Sequence, residues 1–527
     1  MQFWQLLLIL VLILPLIYKY SFWLYTIQLK EYRWDRFKEY IFTPQWKSAL
    51  FNFWFFIELP LLLLSASIFL DIYLIHIIHP IIFYFLVFVN IFVIWKIIRW
   101  RFLKPKPTGR LLITLLFLLF GFGIDLYFMI FGWYWNIIYL YIIWSLIFAP
   151  LIIFFYILLT LPIVNFLKNR KIKKAILKSQ IKNKPIKIAV TWSYWKSSVK
   201  EFLSSILEQD WKTLKTPENI NSELWVSAIV LNKLKSKYKY FVAEVWAYRI
   251  WEISVLWKIV NHKYWFLTAI GNQHIWLFWS QENIVKGKTE IAESVLKNGW
   301  ILYVNIDNSE ISKVKFPKKL NLIKYWKSKK ADAKYKILEE KNWKTEFSFE
   351  YKKTNTKFKI NLIWEHNILN ITWVIAFCYD LGLKTTEIKK YLKNLKTPNS
   401  SKTIIKNWNN ILIDDTYNLS EAGLKSGLDL FKNYKKEEKI LVLDDILELW
   451  KQSENIHFEI WKKIAKNKIV NKVLFCGVNY KENFIEWLIE WWFDKNNIIN
   501  NLDNILKKSV ILFEWRNAKR YLNKINK

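Results

Sequence analysis

The chain has 527 residues, 53% of them hydrophobic, and 78 Lys+Arg against 43 Asp+Glu give a formal net charge of +35. That length accommodates an apolar region and two soluble domains. The two cysteines, Cys378 and Cys476, exclude a disulfide framework and a paired-cysteine metal site. The lysines are spread among Asn and Ile, as AT-rich codons would give, and form no stripe with interleaved aromatics, so no nucleic-acid partner is expected.

Residues 1–165 read as a transmembrane helical domain of about five spans, with apolar runs near 3–20, 49–70, 73–95, 111–131 and 137–163. Basic residues cluster in alternate connections. Lys30, Arg33, Arg36, Lys38 and Lys47 lie in 28–47, and Lys96, Arg99, Arg101, Lys104, Lys106 and Arg110 in 96–110. The positive-inside rule puts both segments, and everything after 165, in the cytoplasm, with the N-terminus outside. The expectation is a multi-pass protein of the cell (inner) membrane, partnered by the lipid bilayer. Gln28–Tyr40 has the pattern of an amphipathic helix on the membrane face. Glu58 and Asp125 fall within expected spans, and two readings stay open: a lipid head-group site, or positions near an interface.

A basic linker, 166–185, leads into the soluble part. There short apolar strands alternate with helical stretches, which predicts an α/β architecture with mainly parallel sheets. The expected strands are Ile186–Val190, Tyr240–Val245, Trp265–Ile270, Ile301–Asn305, Ile411–Asp415, Ile440–Leu443, Lys472–Cys476 and Val510–Phe513. The stretch TPNSSK at Thr397–Lys402 divides a central domain, 186–397, from a smaller C-terminal domain, 398–527.

Strand KIAV runs into Thr191-Trp192-Ser193-Tyr194-Trp195-Lys196-Ser197-Ser198 and then the helical VKEFLSSIL. With glycine at the two tryptophans this becomes TGSYGKSS, a strand–loop–helix phosphate cradle. In it Trp192, Ser193, Trp195, Lys196, Ser197 and Ser198 would border the nucleotide. Lys196 would reach the β/γ-phosphates and Ser197 would offer its hydroxyl to Mg²⁺. Composition points the same way. The chain has 32 Trp and 11 Gly, where the usual share of glycine would give roughly 37. We read this as UGA codons that specify glycine in the source organism, translated here as tryptophan. The alternative is a genuinely Trp-rich chain, whose two indoles would fill the phosphate space and forbid the backbone that glycine permits.

Further segments follow the loop: TPENINSELWV at Thr216–Val226, EVWAYRIWEI at Glu244–Ile253, TAIGNQHIWLFWSQENIVKGKTEI at Thr268–Ile291, DDTYN at Asp414–Asn418 and VLDDILELW at Val442–Trp450. Together, over roughly 186–527, they resemble the Mur ligase family, and within it the member that adds D-alanyl-D-alanine. Trp stands at the glycines this resemblance expects at 225, 246, 251, 276, 279, 364, 450 and 515. The resemblance implies a P-loop Mur-type central domain and a Rossmann-like C-terminal domain. It implies an ATP- and Mg²⁺-dependent peptide ligase that activates a carboxylate as an acyl phosphate, with a UDP-N-acetylmuramoyl peptide and D-Ala-D-Ala as substrates. By the same resemblance Glu244 and His274 join Ser197 as Mg²⁺ ligands. Lys288 matches the lysine the family carbamylates, so Lys196, Lys288 and His274 are the catalytic candidates. Asn370 and Asp415 lie near the nucleoside, and Asn219, Asn221, Tyr417 and Asn418 are substrate candidates.

The sequence departs from the family at three places. Ser401-Lys402 stands for the Gly-Arg pair after the hinge, Asp444 replaces a glycine, and membrane helices stand where the UDP-sugar-binding domain belongs. Other readings are a Mur-like ligase with a lipid-linked or different acceptor, a catalytically dead membrane scaffold, and a transporter built around Glu58 and Asp125.

Overall fold

The computed structural model describes residues mainly in 2–32, 75–99, 103–131, 135–180 and 185–525. Within the last span, 192–195, 218–219, 246–251, 268–269, 271–279, 326–330, 363–364, 396–402, 417–423, 446–452 and several shorter stretches lie outside the described residues. The chain divides into two compact units, Met1–Asn169 and Arg170–Lys527.

The first unit is helical: α1 (Gln2–Leu29), α2 (Ile75–Ile98), α3 (Gly109–Phe131), α4 (Trp135–Ile147) and the start of α5 (Ala149–Gln180). Its core gathers Trp23, Leu24 and Ile27 of α1, Leu111 and Leu118 of α3, and Ala149, Ile153 and Ile157 of α5. Among the described residues two stretches, Gly109–Phe128 and Ala149–Gln180, are long and apolar enough to cross a membrane by length and composition. The two basic segments meet. The Gln28 side chain donates to the Lys106 carbonyl at 2.8 Å and accepts from its N–H at 2.6 Å, and the Arg110 guanidinium lies 4.5 Å from the Tyr32 ring centre. The expected span 49–70, with Glu58, lies outside the described residues. The expected single run 137–163 is two helices that part at Phe148. Pro150 follows at once, and having no N–H it suits the opening of a helix rather than its interior.

Helix α5 runs on to Gln180, through most of the segment expected to be a linker. Its lysine-rich end is helical because Ile172, Ala175 and Ser179, spaced by three and four, are buried while Lys171, Lys173 and Lys174 are exposed. Ile172 and Ala175 join the core of the second unit.

That unit opens with β1 (Ile186–Thr191), α6 (Lys196–Asp210), β2 (Thr213–Lys215), α7 (Glu223–Asn232), β3 (Tyr240–Glu244), α8 (Glu252–Val260), β4 (Tyr264–Leu267), α9 (Gln281–Thr289) and β5 (Ile301–Asn305). It continues through β6 (Asn321–Tyr325), β7 (Ala333–Lys341), β8 (Lys344–Tyr351), β9 (Thr354–Ile360), α10 (Glu365–Asp380) and α11 (Thr385–Lys393). The strands form one nine-stranded sheet in the order β2-β3-β1-β4-β5-β6-β7-β8-β9. Pairing is parallel from β2 to β7 and antiparallel through β8 and β9. Both faces are covered, so the central strands are apolar over most of their length, with polar residues such as Glu244 and Asn305 at their carboxyl ends. Ile188, Val190, Val242, Phe266 and Tyr303 face one core with Phe202, Leu203 and Trp373. Ala189, Phe241, Ala243, Trp265 and Val304 face the other with Val230, Leu256 and Ile284. Alternation of side chains along each strand gives the two layers.

The second sheet holds β10 (Thr403–Asn407), β11 (Asn410–Asp415), β12 (Glu438–Leu443), β13 (Lys472–Phe475) and β14 (Ser509–Glu514), in the order β10-β11-β14-β12-β13. Only β10 is antiparallel to its neighbour. Helices α12 (Ser453–Asn467), α13 (Lys481–Glu490) and α14 (Ala518–Ile525) accompany it. The expected strand Trp265–Ile270 corresponds to β4 over Tyr264–Leu267, residues 268–269 lying outside the described residues, and β2, β6–β9 and β10 add to the expected strands.

The order of the first sheet positions the site. Strand β1 lies between β3 and β4, with Val190 level with Glu244 and Thr191 level with Leu267. The segment after β1, the last residue of β3 and the segment after β4 therefore start from adjacent strand ends.

Candidate functional site

Glu244 is the centre of the arrangement. It is the last residue of β3 and only 1% exposed. Its backbone N–H donates to Thr216 Oγ1 at 3.0 Å, and Thr216 N–H donates to the Val242 carbonyl at 3.0 Å, so the turn after β2 braces the end of β3. Ser197, in the first turn of α6, donates its hydroxyl to Glu244 Oε2 at 3.1 Å. Asn221 Nδ2 donates to Oε1 at 3.3 Å. The Lys200 ammonium, fully buried, sits 3.2 Å from Oε2. A helix entering straight after a buried parallel strand directs its first N–H groups at the strand's carboxyl end, where anions are held.

Of the expected site residues, the structure thus brings together Ser197, Glu244 and Asn221. Lys196 opens α6, and Lys288 lies in the last turn of α9. Ser198 is buried beneath the helix start, at 2% exposure. Asn370 is fully buried in α10, and neither its Oδ1 nor its Nδ2 has a hydrogen-bond partner among the described residues. Asp415 ends β11 and is 1% exposed. Trp192, Ser193, Trp195, Asn219, His274, Tyr417 and Asn418 lie outside the described residues. Asp125, in α3, accepts a 2.5 Å hydrogen bond from the Tyr141 hydroxyl.

Lys200 and Thr216 were not singled out from sequence. Lys200 carried a readable signal: it lies four residues after Lys196 and three after Ser197 on a helix, hence on the same face.

Around the second sheet, carboxylates gather at strand ends. Asp414 accepts from the Thr416 N–H at 3.0 Å, the Thr416 hydroxyl at 2.6 Å and Lys519 Nζ at 2.9 Å. Burial pushes its pKa up, but these donors outweigh burial and hold it below the usual carboxylate value. Asp444 accepts from Asn517 N at 2.9 Å and Asn517 Nδ2 at 3.0 Å. Beside it, burial pushes the Cys476 thiol up to about 12, so it is an un-ionised donor, to the Leu443 carbonyl at 2.9 Å. Trp515 follows β14 with φ 74° while fully buried, and its indole N–H finds no partner among the described residues. A bulky side chain is an outlier in that left-handed region, which glycine enters freely. Trp225, by contrast, lies within helix α7 at 63% exposure, a position that makes no demand for glycine.

The donor set around Glu244, a carboxylate, a hydroxyl and an amide, is all hard oxygen or hydrogen-bonding group, and it suits Mg²⁺ held jointly with phosphate oxygens. The amide of Asn370, without a hydrogen-bond partner among the described residues, keeps both its acceptor oxygen and its donor NH₂ group.

Residues 190–378 match the Mur ligase middle domain. The chain is 30% identical over 298 residues to the UDP-N-acetylmuramoyl-tripeptide--D-alanyl-D-alanine ligase of Buchnera aphidicola (subsp. Acyrthosiphon pisum), covering 55% of this chain and 64% of that protein. It therefore spans just under two thirds of that relative's length. The ligase of the same name from Escherichia coli K12 is 25% identical over 331 residues, 62% of this chain and 72% of the relative. MurF from Acinetobacter baumannii superposes with a TM-score of 0.60 at 22% identity, covering 68% of this chain and 81% of that one. The MurF ligase of Thermotoga maritima, solved in complex with ADP, gives 0.59 at 23%, covering 68% and 83%. At those identities the two structures speak for the fold.

Proposed function

We propose that the chain, whose residues 190–378 match the Mur ligase middle domain, is an ATP-dependent amide-bond ligase of peptidoglycan-precursor synthesis. In this reading it joins D-alanyl-D-alanine to a UDP-N-acetylmuramoyl tripeptide. The observation that carries the proposal is the buried Glu244 carboxylate, which meets the Ser197 hydroxyl at 3.1 Å beside the strand end that feeds the phosphate loop. Likeness to the named ligases supports the substrate assignment.

ATP with Mg²⁺ supplies the phosphoryl group that activates the acceptor carboxylate, and the cation offsets the crowded negative charge. The chain's own residues do the rest. Ser197 and Glu244 would hold the cation, with Asn221 fixing the second carboxylate oxygen. Lys196 neutralises the phosphates, and His274 with a carbamylated Lys288 completes the cation's ligands. Asn370 and Asp415 take the nucleoside, and Asn219, Tyr417 and Asn418 are offered to the substrates. The N-terminal unit anchors the ligase to the inner membrane with its catalytic part in the cytoplasm. The two long apolar helices, and the meeting of both basic segments at Gln28 and Lys106, support this.

The proposal includes glycine at positions 192 and 195 in the native chain. The left-handed backbone of Trp515 supports such a reassignment. A literal indole at 192 and 195 favours the second reading, a catalytically dead scaffold, because phosphates need bare main chain there. The test is ADP release, with product mass, from full-length protein made with glycine at the expected positions and given a muramoyl tripeptide, D-Ala-D-Ala and Mg²⁺. The expected outcome is release that requires both substrates. No release with any muramoyl peptide overturns the assignment.

A further inference from the structure

A phosphate loop requires one lysine for the phosphates and one hydroxyl for the cation, and Lys196 with Ser197 fills both roles. Lys200 is left over, and its situation is unusual. It lies in α6, fully buried, where a Leu or Met would pack without cost. A buried ammonium is expensive unless its charge and its donors are met. Here three acceptors surround it: Glu244 Oε2 at 3.2 Å, the Pro217 carbonyl at 3.4 Å and Glu201 Oε1 at 3.8 Å. They come from the end of β3, the turn after β2 and the helix itself. Glu201 is already paired with Lys215 at 2.6 Å, so the unmatched negative charge that faces Lys200 is that of Glu244.

Glu244 Oε2 thus receives two donors at nearly equal distance, the Ser197 hydroxyl and the Lys200 ammonium, while Asn221 occupies Oε1. The carboxylate is oriented from three sides, and its charge is balanced before any cation arrives. We infer that Lys200 is a built-in counter-cation that positions Glu244 and lowers the affinity of this carboxylate for a bare divalent ion. Metal then enters together with a polyphosphate, which brings the negative charge that Lys200 has cancelled, rather than ahead of it. Ordered entry has a use: a phosphate loop loaded with metal alone would present the wrong charge balance to the nucleotide–metal complex.

The inference rests on the reading of Glu244 as a metal ligand, and the test separates the two. Mn²⁺ is titrated into the full-length chain without nucleotide, and binding is followed by electron paramagnetic resonance. Removing an adjacent unit charge shifts an ionic equilibrium by one to three orders of magnitude. Lys200→Met is therefore expected to bind Mn²⁺ about tenfold more tightly or better. Lys200→Gln, which keeps donors for Pro217 and Glu244 without the charge, carries the same expectation and stands in if the Met variant does not fold. Lys200→Arg keeps the charge and leaves the affinity within about twofold of the parent chain. Glu244→Gln abolishes binding in every background. If Lys200→Gln folds and binds Mn²⁺ no more tightly than the parent while Glu244→Gln still loses it, the counter-cation role is wrong and the metal assignment stands. If Glu244→Gln binds Mn²⁺ unchanged, the metal assignment itself falls.

Discussion

Asp380 ends helix α10, whose middle carries Asn370, and it ties that helix to the sheet. Its carboxylate accepts from the Tyr303 hydroxyl of β5 at 2.5 Å, from the Tyr351 hydroxyl of β8 at 2.8 Å, and from Lys352 Nζ at 2.5 Å. Burial, and then the adjacent Asp380 charge, raise both tyrosine pKa values above the usual value, so both phenols stay protonated donors across the physiological range. Asp380→Ala removes a charged acceptor from two hydroxyls. A hydrogen bond to a charged group is worth about 1.5–3 kcal/mol, and the buried Tyr303 hydroxyl would be orphaned at about 1–3 kcal/mol. These quantities overlap rather than add, and about 3–4 kcal/mol is expected. Lys352 is 64% exposed, so its pair contributes about 1 kcal/mol at most. Asp380→Asn retains an acceptor and should cost about 1–2 kcal/mol. Tyr303→Phe should cost about 1 kcal/mol alone, and little more once Asp380 is gone. Hydrogen exchange of α10 peptides measures the opening free energy of this helix directly. Equal costs for the Ala and Asn variants, or an Asp380→Ala cost below about 1 kcal/mol, would refute the hub.

Two further outcomes follow from buried polar groups. His262 is fully buried, neither ring nitrogen has a partner among the described residues, and its pKa is held well below the usual value by burial first and then by Lys187. The unfolded chain therefore takes up the proton first, so the contribution of His262 to stability is whole above about pH 6.5 and falls as pH drops toward the folded value. His262→Leu should flatten that acid limb in melting curves taken from pH 7.5 to 5, and an unchanged limb would count against it. Peptide mass spectrometry of the native polypeptide should find glycine at position 515, where the backbone is left-handed; an indole there would reject the reassignment.

The parallel strands were legible because strands buried on both faces are continuous apolar runs, as in KIAV, YFVAE and ILYVN. The meander β7–β9 alternates exposed Lys336, Lys357 and Lys359 with buried Tyr335, Phe347 and Phe358, which is a strand pattern, but its dense Lys, Glu and Thr obscured the apolar half. The end of α5 was hidden in the same way, three buried residues being outnumbered by lysines. At the site, Glu244 and Ser197 could be paired through the family motifs they belong to. Asn221 entered as a substrate candidate, yet its amide faces Glu244. For Lys200, one among 78 basic residues, helical spacing from Lys196 and Ser197 gives the face, and burial gives the contact with Glu244.

The pairing of Val190 with Glu244 has an architectural consequence. Side chains alternate along a strand with a rise of about 3.3 Å per residue. A one-residue slip of β3 against β1 would therefore carry the carboxylate a full step away from Ser197 and turn it to the opposite face of the sheet. The tolerances of the proposed cation centre are set by hydrogen-bond ladders deep in the hydrophobic layers. Insertions or deletions within β1 or β3 should therefore separate Ser197 from Glu244 without substituting either, and the surface loops should absorb length changes that these two strands cannot.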